Sequence, residues 1–191
     1  MESMKDKVAI VGMGCSAFGE LWDKSVDDMI VEACSEAFED AGVGQKDIQA
    51  AYVGTVTNYT GTAVTRALKF QYIPVTRVEN ECGTGEDVIR NAAFALAARA
   101  YDLVLVVAYE KLKDYGYPGL PIEVTKMPGI HPVYETTLTA PGNYALAATR
   151  YFDRYGLSRE EGKRTLAKIS VKSHYNGARN PRAHLRREVT I

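Results

Sequence analysis

Short apolar runs alternate with helical patterns through roughly the first 110 residues of this 191-residue chain. Each run is short enough for a strand and is closed by a glycine or a polar residue, a pattern typical of strands buried on both faces. We therefore predict buried strands at residues 8–11, 50–53, 75–80 and 103–107.

The segments between these runs carry apolar residues at helical spacing. Ser25 is placed to cap the first helix and Gly42 to end it. Further helices are predicted at residues 62–70, 86–100, 141–155 and 159–176, and Ser158 is placed to cap the last of these. Strand and helix in this order imply an α/β fold with a mainly parallel sheet covered on both faces.

The pattern changes after Lys111. Residues 114–132 contain four prolines and three glycines and show no period, so we expect a long irregular loop there. We divide the chain into an α/β core half over residues 1–112, and a loop domain with its following helices over residues 113–191.

Charge and composition exclude several classes of protein. The formal net charge is −1, which argues against a nucleic-acid partner, since that would need a clustered basic surface. The basic stretch at residues 179–187 is interpreted as a solvated face with local ion pairs. No apolar run approaches the ~20 residues of a membrane span, and the charged start does not resemble a signal peptide. Three scattered cysteines without a CxxC motif indicate reduced thiols in a cytoplasmic protein and no metal site.

Cys82 lies where a predicted strand ends and an alanine-rich helix begins, in the segment VENECGTG at residues 78–85. Unpaired N–H groups at a helix start favour a thiolate, and the flanking glycines allow a tight turn and the close approach of a substrate carbonyl. The same N–H groups could stabilise an oxyanion. The alternative is a buried cysteine that packs as a small apolar residue.

Other candidate residues rank below Cys82. Cys34 lies within an amphipathic helix and is expected in the core. Cys15 follows Gly12 and Gly14, but a GxGxxG dinucleotide motif would need glycine at Ala17, so we reject a nicotinamide site. The three histidines, which are His131, His174 and His184, have no obvious orienting carboxylate and no zinc-ligand spacing.

Several motifs in order resemble the thiolases, and within them the branch that includes the sterol-carrier-protein-2-type and acetyl-CoA acetyltransferase-like enzymes. The segments that carry this resemblance are VAIVGMG at 8–14, FGELWD at 18–23, EACSEAFEDAG at 32–42, VENECGTG at 78–85, VLVVAYEK at 104–111 and VKSHYNGARNPRA at 171–183. Together they span nearly the whole chain.

The resemblance implies a layered α/β thiolase fold of two similar halves, of which this chain is the N-terminal one. The family's nucleophilic cysteine falls on Cys82, which would form an acyl-enzyme with a coenzyme A thioester as substrate, with no tightly bound cofactor. None of the three histidines matches the Gly-His-Pro motif of the family's C-terminal half, so none inherits its role. A homo-oligomer or hetero-oligomer is expected.

Two other functions remain open at this point. A thiolase-like retro-aldolase would act on acyl-CoA side chains with a small OB-fold partner of the DUF35 type. Tyrosines at 109, 115, 117 and 134 would then be candidates for acid/base chemistry, with aromatic packing as the alternative reading. A non-catalytic thiolase-like scaffold subunit is the other possibility, favoured by acidic residues near Cys82.

Overall fold

The computed structural model describes residues 4–58, 60–115 and 140–191. These residues fall into two compact units: one holds those up to Ser16 and from Glu20 to 115, and the other holds Ala17–Gly19 with those from 140 onward. Most of the region predicted as an irregular loop, together with His131, lies outside the described residues.

The first unit is built on a parallel sheet of three strands, β1 (Ala50–Gly54), β2 (Val75–Val78) and β3 (Val104–Ala108). The strand order among the described residues is β2-β1-β3, and both neighbours run parallel to β1. The predictions of an α/β fold and of strands at these three places are therefore confirmed. Because all three strands run in the same direction, their carboxyl ends meet at one edge of the sheet.

Three helices cover this sheet, α1 (Val26–Ala41), α2 (Thr62–Leu68) and α3 (Thr84–Ala97). Alternate residues of a strand point to opposite faces, so Val53 and Leu105 join a core with Ile30 of α1 and Val64 of α2. Gly54 points to the other face, where it meets α3. The predicted coverage of both faces is confirmed, and each fully buried valine contributes about 1.5–3 kcal/mol.

The helix ends follow the predicted capping residues. The Ser25 hydroxyl accepts from the Asp28 N–H while Asp28 accepts from the Ser25 N–H, and Gly42 ends α1 with a φ of 68°. A left-handed residue of this kind is most readily a glycine.

The strand predicted at residues 8–11 is wrong. No described strand pairs with this segment, and its apolar side chains are open to solvent, with Ile10 73% exposed. The chain beyond it instead follows α1, because the amides of Met13 and Cys15 donate to Asp40 and Glu36 of that helix. A Cβ at Gly14 would lie 2.0 Å from the carbonyl oxygen of Ala33, so glycine is needed for this close approach.

The described part of the second unit contains two helices, α4 (Ala140–Arg154) and α5 (Arg159–Arg179), close to the predicted bounds. Gly156 makes the turn with a φ of 64°, Ser158 caps α5 with Glu161, and the Phe152 ring packs against Gly162. The chain after α5 bends back along it, since the Arg179 guanidinium pairs with Glu188 at 2.7 Å. The basic stretch is thus exposed and locally paired, as predicted.

In the part of the chain that the structure describes, no helix has the combined length and apolar character needed to cross a bilayer.

The ion pair between Asp27 of α1 and Arg66 of α2 links the two helices that share one face of the sheet. Arg66 donates twice, from Nε at 2.7 Å and from a terminal nitrogen at 2.6 Å. These bonds hold the pKa of Asp27 below its usual value. A depressed carboxyl pKa contributes stability that is present above the unfolded-state pKa and is lost as the pH falls through the folded-state pKa.

We expect Asp27→Asn to lower the free energy of unfolding by about 1 kcal/mol or less at pH 7. The difference from the unsubstituted full-length protein should shrink as the pH falls below the usual aspartate range. Urea titrations at a series of pH values measure it, with exposed Asp23 changed to Asn as the control. A deficit that persists unchanged in acid would show that the pair contributes nothing electrostatic.

Candidate active site

Cys82 lies in a short turn, Glu81–Gly83, between the end of β2 and the start of α3. Its side chain is exposed. The sequence placed this cysteine at a strand-to-helix junction, and the structure has it there, outside the hydrophobic core. The turn stands at the edge of the sheet where the carboxyl ends of the strands meet, the usual place for ligands in open α/β sheets.

The residue before Cys82 has an unusual backbone conformation. Glu81 is left-handed, with a φ of 46°. Such a conformation costs a non-glycine residue of order 1–2 kcal/mol and persists only where the surroundings hold it. The Glu81 amide donates to the Glu79 carboxylate at 2.6 Å, which provides part of that support.

Thr84, the first residue of α3, also holds the turn in place. Its hydroxyl accepts from the Asn80 amide at 2.9 Å and donates to the Glu81 carbonyl oxygen at 2.7 Å. The side chain is buried, while the backbone groups that it bonds belong to exposed residues. One hydroxyl therefore bonds both to Asn80 and to the left-handed Glu81 itself.

Gly54, the last residue of β1, allows α3 to begin directly above the sheet. A Cβ there would lie 2.9 Å from the Thr84 methyl group and 3.3 Å from Cβ of Ala108. Any larger residue would push the start of α3 away, and Cys82 with it. Sequence reasoning did not single out Thr84 or the role of Gly54, although the glycine that closes the strand was a signal for close approach.

The first turn of α3 is open. Its N-cap position is Gly83, which supplies no side-chain hydrogen bond, and a Cβ at Gly85 would meet nothing within 4 Å. Uncapped N–H groups at a helix start favour a negative charge. The arrangement places an exposed thiol beside free space and beside a helix start without a side-chain cap, where the Gly83 and Thr84 amides donate to the Asn80 and Glu81 carbonyl oxygens.

Four carboxylates surround this turn, and two of them are engaged. Glu79 serves the Glu81 amide, and Asp87 pairs with Arg90 at 2.5 Å. Glu81 and Glu86 have exposed side chains. The acidic sequence around Cys82 therefore includes groups that build the turn and the helix.

The other cysteines have different surroundings. Cys34 is in the core, as predicted, and burial raises the pKa of its thiol to about 12. Cys15 is partly buried, and its thiol donates to the Ser16 carbonyl oxygen at 3.1 Å. The glycines before it are explained by their contact with α1, which gives the Gly-Xaa-Gly segment a packing role.

Some of the histidines and tyrosines lie among the residues that the structure describes, and others lie outside them. His174 lies on α5, where Nδ1 is 2.8 Å from the Arg187 carbonyl oxygen, and His184 is exposed. Tyr109 follows β3 directly and is buried, which raises the pKa of its hydroxyl. Tyr117, Tyr134 and the side chain of Tyr115 lie outside the described residues.

Within the described ranges, no three His, Cys, Asp or Glu side chains form a group suited to a metal ion.

Thr84→Val tests the turn, because valine keeps the shape of threonine and removes the hydroxyl. The Asn80 amide and the Glu81 carbonyl would lose their partner, and we expect a loss of about 1–3 kcal/mol in the free energy of unfolding. The alkylation rate of Cys82 should change as the turn loosens. Chemical denaturation of the full-length protein measures the free energy of unfolding, and timed iodoacetamide labelling measures the alkylation rate of Cys82.

Thr165→Val is the matched control, since its hydroxyl only donates to the Glu161 carbonyl oxygen within the exposed helix α5. It should cost less than about 0.5 kcal/mol. Equal losses for the two variants would mean that the buried hydroxyl of Thr84 has no special role in the turn.

Comparison with known proteins identifies the family. The sequence matches the family described as Thiolase, N-terminal domain, over residues 8–191. It is 35% identical to an acetyl-CoA acetyltransferase of Methanothermobacter thermautotrophicus, over 98% of this chain and 49% of that protein. It is also 26% identical to sterol carrier protein 2 of Gallus gallus, over 98% of this chain and 36% of the relative. The chain thus spans at most about half the length of these relatives.

Among solved structures, the fold is similar to that of an Ltp2-ChsH2(DUF35) aldolase, with a TM-score of 0.73 and 22% identity over 95% of this chain and 46% of that one. The parallel sheet, the cysteine turn at its carboxyl edge and the family match over residues 8–191 all indicate the same family. This chain belongs to the thiolase family and corresponds to its N-terminal domain.

Proposed function

We propose that the full-length protein is a thiolase-type acyltransferase that acts on a coenzyme A thioester through a covalent acyl group on Cys82. The observation that carries this proposal is the exposed thiol in the turn between β2 and α3. The thiolase family and the relatives named acetyl-CoA acetyltransferase support the reaction class.

The first half-reaction exchanges one thioester for another. The Cys82 sulfur, as thiolate, attacks the thioester carbonyl carbon, and the pair of electrons of the carbonyl double bond moves to oxygen. When the carbonyl re-forms, the carbon–sulfur bond to coenzyme A breaks and coenzyme A leaves as a thiolate that takes up a proton. A second nucleophile then takes the acyl group and returns the Cys82 thiolate.

The start of α3 is suited to the charge that develops in this step. A tetrahedral intermediate carries an oxyanion, which backbone N–H groups stabilise when they are already in position. Gly83 gives α3 no side-chain cap, and Gly85 leaves the adjacent space open. We propose that amides of this first turn beyond Thr84, whose own N–H donates to the Glu81 carbonyl oxygen, donate to the oxyanion.

The rest of the site belongs to the proposal as well. We propose residues 1–112 as the α/β core half and residues 113–191 as a loop domain with its following helices. The acid and base groups would come from the other half of the full-length protein, because the curated relatives named above are about twice this length or longer. An oligomer is expected, as is a coenzyme A substrate without a tightly bound cofactor.

A retro-aldolase is the second candidate. The similar solved structure is named as an aldolase that contains a DUF35 component. A function of this kind for the present protein would involve a small OB-fold partner and would not need acyl transfer to Cys82. A scaffold subunit without activity is the third candidate.

Acyl labelling tests the first proposal. The full-length protein is mixed with a short radiolabelled acyl-CoA, quenched in acid and digested for peptide mapping. We expect one labelled peptide, with the acyl group on Cys82. Cys82→Ala should carry no label and should lose acyl-transfer activity on the order of 10³-fold or more, because it removes the nucleophile.

Cys15→Ala is the control, since Cys15 is the other thiol with some exposure. It should keep both the label and the activity. Label on Cys15 would overturn the assignment of the nucleophile. An aldol cleavage that Cys82→Ala carries out at nearly the original rate would favour the retro-aldolase, and a protein inactive in both assays would favour the scaffold.

A further inference from the structure

Glu110, two residues beyond the end of β3, collects the polar groups of the segment that follows β1. Its Oε1 accepts from the Thr55 hydroxyl at 3.1 Å, from the Thr57 amide at 3.4 Å and from the Val56 amide. Its Oε2 accepts from the Thr57 hydroxyl at 2.6 Å. One carboxylate thus fixes three consecutive residues that lie 53 to 55 positions away in the sequence.

All of these partners are neutral. In the ranges that the structure describes, no lysine or arginine forms an ion pair with Glu110, and Lys111 next to it pairs with Asp114. Hydrogen bonds to an ionised carboxylate are stronger than those between neutral groups. The charge of Glu110 therefore serves to order the segment 55–57 without forming an ion pair in these ranges.

The ordered segment is connected to the Cys82 turn by two contacts. Arg77 of β2 donates from Nε to the Thr55 carbonyl oxygen at 3.0 Å. Gly54, which directly precedes the segment, packs against Thr84, the residue whose hydroxyl holds the turn. Neighbouring strands lie about 5 Å apart, so the outer strands β2 and β3 are separated by about 10 Å and these contacts bridge the distance.

We infer that Glu110 is a positioning residue for Cys82. Its carboxylate orders residues 55–57, and these hold the end of β2 and the start of α3 in the arrangement that presents the thiol. Glu110 does not touch Cys82 and takes no part in bond making. The inference rests on the proposed function for its catalytic consequence, but the ordering of the turn can be measured without it.

The test compares Glu110→Gln, Thr57→Val and the double variant in the full-length protein. Glutamine has nearly the shape of glutamate but offers one acceptor oxygen and presents an N–H₂ group to donors. Glu39→Gln, on the exposed surface of α1, is the matched control. The measurements are hydrogen exchange over residues 80–84, the rate of Cys82 alkylation by iodoacetamide, and kcat and KM for acyl transfer per titrated active site.

We expect Glu110→Gln to speed hydrogen exchange over residues 80–84, to change the alkylation rate of Cys82, and to lower kcat on the order of 10- to 100-fold with little change in KM. The double variant should lose little more than Glu110→Gln alone, because both changes release the same segment. Glu39→Gln should match the unsubstituted protein in every measurement.

The inference would be overturned if Glu110→Gln left hydrogen exchange and alkylation at the Cys82 turn unchanged. It would also be overturned if Glu110→Gln lowered only the number of titratable active sites and left kcat normal at the sites that remain. Fully additive effects of the two single changes would also overturn it. The proposed function fails separately, if the unsubstituted protein never acquires an acyl group on Cys82. Exchange and alkylation then still decide whether Glu110 orders the turn.

Discussion

The parallel pairing of β2, β1 and β3 is the constraint on which the candidate site depends. Since both neighbours run parallel to β1, the residues that follow all three strands emerge at one edge of the sheet. Cys82 follows β2, Thr55 follows β1, and Glu110 follows β3. Residues that are distant in the sequence are thereby placed within reach of one another, and the hydrogen bonds of Glu110 and Arg77 complete the arrangement.

Much of the fold could be predicted because the deciding signals are local. The apolar run of β3 and the capping residues Ser25 and Ser158 each determine their element within a few positions, and the structure agrees with them. The position of Cys82 between a strand and a helix was predictable for the same reason. The segment 8–11 shows the limit: an apolar run gives the propensity for a strand, but a strand forms only where another strand offers hydrogen bonds. The amides that follow this segment bond to carboxylates of α1, which no local pattern indicates.

The residues that hold the candidate site in place could not be predicted from the sequence, for a related reason. Thr84 and Glu110 act through partners chosen by the tertiary structure, and the bonds of Glu110 join residues more than fifty positions apart. The left-handed conformation of Glu81 also has no signature in its residue type, because glutamate rarely adopts it. A single sequence shows which residue types are present, whereas these roles follow from the register of the sheet and from the packing of α3 on Gly54.

The contrast among the helix starts is consistent with the proposed role of the turn. Helices α1 and α5 begin with complete capping boxes, in which Ser25 with Asp28 and Ser158 with Glu161 satisfy the first amides. Helix α3 begins at a glycine that gives no side-chain bond, as does the short helix α2. A cap of the kind found on α1 would stabilise α3 by about 1 kcal/mol, but it would occupy donors that an oxyanion beside Cys82 needs. The hydroxyl of Thr84 instead bonds to the backbone that precedes Cys82, so the turn is held in place without a side-chain cap on α3.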